Sequence, residues 1–297
     1  MSTPLKISFI FNPSADRERN AQHLAWLRMM IAKHLGDSEI YVSEFKGHAV
    51  ELSQIASQTC DIVVACGGDG TIQEVVQGIM GSSARLGILP MGSGNDFIKS
   101  AWIPRDKYKA FMCLLNPTFR SMDVIRYETE NKEGICINTL GLGFDALINY
   151  ETKTIKKFKG SFVYTLAVLK SLGKSKPTHF KISSDVLKMV SNLTMITLAN
   201  GTTEGGNFKI APQADISDGK FDIVLITEVS PLGILWRLVL FMIGQQHRSS
   251  KIRMFKSDEV IIESETGFAM HSDGEHIGLD VKHVNAKLLK SALEVVV

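Results

Sequence analysis

Two short loops in the first third of the chain bring together groups that could hold phosphate: Cys66-Gly-Gly-Asp-Gly-Thr71 and Pro90-Met-Gly-Ser-Gly-Asn-Asp-Phe97. Glycine has no Cβ, so its backbone N–H can approach a ligand closely and adopt positive φ. Thr71 is placed to cap a following helix, whose N-terminus favours anions. Gly67, Gly68, Gly70 and Thr71 therefore suit phosphate oxygens. Asp69 would repel them unless Mg2+ or a hydrogen-bonded hydroxyl lies between. The second loop repeats the chemistry with Ser93, Gly94, Asn95 and Asp96. The bland alternative is a plain tight turn capped by Asp69. Two adjacent strand ends with the same chemistry, at the edge where parallel sheets bind ligands, favour one nucleotide site instead.

A third candidate is Ser272-Asp-Gly-Glu275. Asp-Gly is a hairpin signal, and a carboxylate following it can project into a cleft as a general base. A surface hairpin is the alternative. Asp218-Gly219 reads the same way. Lys153, Lys156, Lys157 and Lys159 form a basic run beside the apolar helix Phe162 to Leu172. Such a run is either a solvated face or a point of attraction to anionic lipid. The scattered histidines, His271 among them, read as structural.

Several rivals fail on the residues. No Walker Gly-x-x-x-x-Gly-Lys-Ser/Thr is present, and the protein-kinase signature set is missing. Gly141-Leu-Gly-Phe-Asp-Ala146 matches a dinucleotide fingerprint. The window that should end a strand in an acidic residue, Phe162 to Ala167, is an apolar helix without Asp or Glu.

The elements that must position these groups follow from periodicity. Leu5 to Phe11, Glu39 to Val42, Asp61 to Cys66 and Leu86 to Leu89 read as strands. Helical patterns fall between them at Arg17 to Leu35, Ala49 to Ser57 and from Thr71 to Met80. Strands apolar on both faces, alternating with helices, predict a parallel sheet covered by helices. Beyond Asn116-Pro117 β-rich segments dominate: Arg120 to Thr129, Ile135 to Leu140, His179 to Ser184, Leu193 to Ala199 and Phe221 to Ile226. Turn signals between them predict antiparallel pairing. The expectation is an α/β nucleotide-binding domain over residues 1–120 and a mainly-β acceptor domain over 121–297, with about 284–297 returning to the first domain.

At 297 residues, 44% hydrophobic and 22% charged, the chain has core enough for two globular domains. Its 33 basic against 31 acidic residues leave a net charge of +2, which excludes nucleic-acid binding driven by global charge. Cys60, Cys66, Cys113 and Cys136 lack paired spacing and read as free thiols in a reducing compartment. The first apolar run is too short for a signal h-region. Leu232 to Ile243, broken by Arg237, is too short to span a bilayer. It is expected to be a buried helix, with an interfacial one as the alternative.

Gly-Gly-Asp-Gly-Thr followed by Leu-Pro-x-Gly-Ser-Gly-Asn-Asp-Phe resembles the catalytic domain shared by diacylglycerol, sphingosine and ceramide kinases. Asp123, Asn138 to Ala146, Asn200, Gly205-Gly206, Pro212, Ala214, Asp218-Gly219 and Asp273-Gly274-Glu275 resemble later elements of that family, in order. There are departures. Asp16 stands in place of a glycine, Asn207 in place of a third glycine, His48 in place of an acidic residue and Ser43 in place of a nucleotide-contacting Thr. The resemblance implies ATP as phosphoryl donor, with Asn12 and Ser43 joining the glycine loops in holding it. It implies Glu275 as base, with Asp69 and Asp96 organising Mg2+. It also implies a second Mg2+ held by the Asp218 carboxylate and the carbonyls of Asp215 and Lys220. The acceptor is then a lipid with a primary hydroxyl. The location is cytoplasmic, peripheral at the inner membrane surface, with a homodimer as one allowed assembly. An NAD kinase and a silent nucleotide- or lipid-binding protein are the alternatives.

Overall fold

A computed structural model describes residues 5–16, 18–36, 38–92, 94–155, 161–174, 176–206 and 208–297, with backbone alone over 161–165. Ser93, Lys156, Lys157, Lys159 and Asn207, singled out above, lie outside the described residues. The chain divides into two compact units, Met1–Met122 with Ser291–Val297, and Asp123–Lys290.

In the first unit β1 (Ile7–Phe11), α1 (Asn20–His34), β2 (Glu39–Val42), α2 (His48–Ser57), β3 (Ile62–Gly67), α3 (Asp69–Ile79), β4 (Arg85–Pro90) and α4 (Lys107–Leu115) follow in order. β1 pairs in parallel with β2 and β3, and β3 in parallel with β4. Every residue of β1 and β3 is buried, as helices on both faces of a parallel sheet require. Each large aliphatic side chain so buried contributes about 1.5–3 kcal/mol. The register matters most for function. Phe11 lies beside Val42 and Cys66, and Gly67 beside Pro90, so the four strands finish along one edge. The C-terminal residues complete the unit: Val295 pairs with Leu86, Arg85 binds Glu294 at 2.7 Å, and Thr118 donates to the Val297 carbonyl.

One local expectation changes. Gly68, in extended conformation, is the N-cap of α3, and Thr71 lies inside the first turn with its amide donating to the Gly68 carbonyl at 2.9 Å. The Thr71 hydroxyl instead accepts from Asn12 Nδ2 at 2.9 Å. α4, nine residues long, was not anticipated from the sequence and is capped by Asp106 through the Lys109 amide.

The second unit is entered along β5 (Phe119–Thr129). It comprises β6 (Glu133–Cys136), β7 (Thr139–Gly143), α5 (Phe144–Thr154), α6 (Ser161–Leu172), β8 (Thr178–Ser184), β9 (Lys188–Ala199), β10 (Phe221–Thr227), α7 (Pro231–Ile243), β11 (Ile252–Ser257), β12 (Glu259–Ser272) and most of β13 (Glu275–Val296). Its pairings are antiparallel: β11 with β10, β10 with β9, β9 with β7, β7 with β12 and β12 with β13, while β8 joins β12 and β9. Side chains alternate between two cores. Phe221, Ile223 and Leu225 of β10 enter one core with Phe180 and Ile262. Val224 and Ile226 enter the other, with Phe144, Ile148 and Phe241 of the helices. This is the period of two that a two-sided sheet imposes.

The expected strand Ile135 to Leu140 breaks in two, since the amides of Ile137, Asn138 and Thr139 turn to the Asp273 carboxylate instead of a ladder. α7 also departs from the buried helix expected. It buries Ile234, Leu238, Leu240 and Phe241 but leaves Leu232 and Trp236 at 79% and 56% exposure. Among the described residues no helix is long and apolar enough to cross a membrane.

Candidate active site

The first unit gathers the residues singled out in its sequence along one sheet edge. Asn12 follows β1, Ser43 follows β2, Gly67 and Gly68 close β3, and Gly94, Asn95 and Asp96 lie beyond β4. The Asn12 amide donates to the Cys66 carbonyl and the buried Ser43 amide to the Phe11 carbonyl, which ties β1 to its neighbours at this edge. The two glycine loops touch backbone to backbone. A Cβ on Gly92 would lie 2.3 Å from Gly68 Cα, so no other residue fits there without displacing the chain. Gly92→Ala is expected to separate the loops and lower the melting temperature by several degrees, measured by thermal denaturation.

Asp69 connects the loops. Its Oδ1 accepts the Phe97 amide at 3.0 Å, while Oδ2 faces Gly94. Burial raises its pKa, against the pull of the backbone donors Phe97 and Asp96. Asp96 pairs with Lys99 at 2.5 Å and is nearly buried. Asn95 takes positive φ (52°) and donates to the Gly92 carbonyl at 2.7 Å. Its Oδ1 is buried without a hydrogen-bond partner among the described residues. Glycine N–H groups at a helix start suit phosphate oxygens, and the orphaned Asn95 acceptor fits a hydroxyl donor or a metal ion beside them, because such an atom is costly unless a ligand satisfies it.

The second unit centres on a type I′ turn. Asp273 and Gly274 both have positive φ, and Ser272 pairs with Glu275 across them. The Asp273 carboxylate is spent within the fold, accepting the amides of Ile137 (2.8 Å), Asn138 (2.8 Å) and Thr139 (3.1 Å) and the Cys136 thiol at 3.2 Å. Glu275 instead keeps its side chain 36% exposed and binds Lys153 Nζ at 3.2 Å. One face of α5 runs along the turn, with Asp145 against His271, Asn149 near Gly274 and Lys153 on Glu275, at the i, i+4, i+8 spacing. Lys153 is therefore engaged in this site and is not simply one of a solvated basic run.

Beneath the turn His271 lies between two carboxylates, 3.0 Å from Glu204 and 3.6 Å from Asp145, whose second partner is the Thr197 hydroxyl at 2.8 Å. Burial opposes a charge on His271, but Glu204 and Asp145 outweigh it and raise the pKa to about 10. Burial also raises that of Glu204. The three ligand atoms lie within 4.8 Å of one another and could hold a divalent ion. Sequence reasoning missed this cluster because its members come from α5, β12 and the loop after β9.

In the Asp218-Gly219 loop, Asp215 accepts the Ser217 amide and hydroxyl, at 3.0 and 2.7 Å. Asp218 accepts the Lys220 amide through Oδ1 and Lys256 Nζ, at 2.6 Å, through Oδ2. Lys256 also reaches Asp222 at 3.4 Å. An ammonium group thus already pairs with the Asp218 carboxylate that a cation would use.

The chain thus has a parallel α/β unit with glycine loops at its strand ends and a β-rich unit carrying an Asp-Gly-Glu turn. Residues 6–127 match the diacylglycerol kinase catalytic domain, and residues 138–297 match the YegS C-terminal NAD kinase beta sandwich-like domain. The chain belongs to this diacylglycerol kinase and YegS-like lipid kinase family, and it is a kinase that transfers phosphate to an alcohol. It is 27% identical over 277 residues to a diacylglycerol kinase of Bacillus subtilis (strain 168), covering 91% of this chain and 89% of that one. It is 26% identical over 283 residues to one of Staphylococcus haemolyticus (strain JCSC1435), covering 94% and 84%. A diacylglycerol kinase crystal structure from Bacillus anthracis str. Sterne shares the fold, with TM-score 0.75, 20% identity, and 99% and 98% of the two chains covered.

Proposed function

We propose that this protein is an ATP- and Mg2+-dependent lipid kinase that phosphorylates the primary hydroxyl of a lipid such as diacylglycerol, with Glu275 as general base. The observation that carries this reading is the division of labour in the turn. Asp273 is saturated by three amides, while Glu275 projects as an accessible carboxylate. In the reaction Glu275 takes the acceptor's hydroxyl proton as its oxygen bonds to the γ-phosphorus, and the bond from that phosphorus to the bridging oxygen breaks to release ADP. The amides of Gly68 to Gly70, at the start of α3, and of the second loop orient the phosphates. Mg2+, when bound, neutralises phosphate charge near Asp69 and Asp96. Lys153 holds the Glu275 carboxylate in place. Such an enzyme works in the cytoplasm at the inner membrane surface.

Asp215, Asp218 and the Lys220 carbonyl hold a second Mg2+ in this reading, in competition with the Lys256 ammonium. Lys256→Met is expected to tighten Mg2+ binding to this loop several-fold and Asp218→Asn to remove it, as read by isothermal titration without nucleotide. Unchanged Mg2+ affinity in both variants would assign the loop to Lys256 alone.

The function itself is tested by phosphoryl transfer from γ-labelled ATP with Mg2+ to a panel of diacylglycerol, sphingosine, ceramide, phosphatidylglycerol and NAD. Label on one lipid, lost in Glu275→Ala and Asp69→Ala, supports the proposal. Label on NAD sinks it.

A further inference from the structure

Helix α7 is apolar on two opposite sides, with Arg237 between them. Leu232, Trp236, Val239 and Ile243 are exposed and fall on one stripe, at i, i+4, i+7 and i+11, with Met242 flanking it. The opposite side, Ile234, Leu238 and Phe241, is packed into the core. A helix apolar on both sides is normally enclosed by protein or lipid. This one is also well capped. Ser230 accepts the Gly233 amide at 3.2 Å, Pro231 occupies the first turn, and Gly244 in the left-handed conformation closes the end. The exposed stripe therefore belongs to a rigid element and not to a fraying one.

Charge identifies what covers it. From Val229 to Ser257 the chain has Arg237, Arg248, Lys251, Arg253 and Lys256 and no Asp or Glu. Arg248, Lys251 and Arg253 are exposed just beyond the helix, and Arg237 lies along its side, donating to the Gly233 carbonyl at 2.7 Å. A second copy bound symmetrically would set this acid-free segment near its own image, cation against cation. An anionic bilayer presents the complementary charge. Thirteen residues are too few to span one, so the helix would lie in the interfacial plane with Trp236 at headgroup level.

We propose that α7 is a membrane-docking surface, its Leu232–Trp236–Val239–Ile243 stripe entering the acyl boundary of an anionic membrane while Arg248, Lys251 and Arg253 engage lipid phosphates. The choice of lipid as occupant rests in part on the lipid-kinase reading above.

The test is co-sedimentation of the full chain with vesicles of phosphatidylcholine alone or mixed with phosphatidylglycerol. Wild type is expected to bind the mixed vesicles with part of its tryptophan emission quenched by brominated lipid, a part that Trp236→Phe removes. Trp236→Glu and the pair Leu232→Glu/Ile243→Glu should each weaken binding at least ten-fold. Arg248→Glu/Lys251→Glu should weaken it by about five-fold or more per charge and remove the preference for anionic lipid. These side chains point outward, so circular dichroism should be unchanged. No binding by wild type, or equal binding by all variants, overturns the proposal. So does a wild-type dimer in sedimentation equilibrium that Trp236→Glu dissociates, since a second copy would then cover the face. A parallel assay on monomerically dispersed short-chain diacylglycerol separates the two readings. Transfer retained there but lost on vesicles supports docking. Stripe-dependent vesicle binding without any lipid phosphorylation removes the kinase proposal and leaves docking standing.

Discussion

Glu275→Gln is expected to lower kcat by roughly 10²–10⁴-fold, the range for loss of a general base, while the free energy of unfolding stays within about 0.5 kcal/mol of wild type. Both halves follow from the turn. Glu275 is partly exposed and forms an ion pair with Lys153, itself 43% exposed, of a kind worth little to stability. Asp273, two residues earlier, should behave in the opposite way. Its carboxylate takes three consecutive backbone amides in a buried setting, so Asp273→Ala strands those donors and is expected to cost about 3 kcal/mol or more. Urea denaturation and steady-state transfer assays on both variants separate the roles. Full activity in Glu275→Gln would remove it as the base.

Removing His271 should produce the largest stability loss. His271→Gln leaves Glu204 and Asp145 buried together without their cation, which is expected to cost roughly 3–5 kcal/mol. Adding Glu204→Gln removes one stranded charge and should recover part of that loss, an interaction that a double-mutant cycle reads directly. The network also sets a pH dependence. The His271 pKa is raised to about 10 from an ordinary 6.5, so its contribution is complete below about pH 6.5 and fades as pH rises through about 10. The raised Glu204 pKa acts in the same direction. Thermal denaturation from pH 7 to 10.5 should show a falling midpoint, flatter in the double variant. A wild-type midpoint that is constant over this range would mean that His271 is neutral in the fold. Gly141 offers an independent probe, since a Cβ there would lie 2.3 Å from His271 Nε2 and 2.5 Å from Asp145 Oδ2.

Much of the first unit was legible because its signals are local. Strands buried on both faces appear as unbroken apolar runs, and the loops between them need glycine wherever backbone meets backbone, as at Gly68 and Gly92. The register then collected Asn12, Ser43, Gly67 and Asn95 on one edge without any further long-range information. The second unit was harder to read. Helix α5 was hidden within a glycine motif, and β11 to β13 were not distinguished from their turns. A half-exposed antiparallel strand has a weaker pattern than a buried parallel one. α7 was read from its composition as buried, yet hydrophobicity alone cannot say which side of a helix the fold leaves uncovered.

By itself the sequence determined the two phosphate-type loops and the Asp-Gly-Glu turn, because positive φ and close backbone approach restrict residue choice within a few positions. Only the tertiary structure decided which carboxylates are held by the fold. Asp273 meets its amides across 136 residues of chain, and His271 finds Glu204 and Asp145 on other elements. Burial and pairing, which set whether a carboxylate is spent on the fold or left for chemistry, depend on neighbours that the local sequence does not contain.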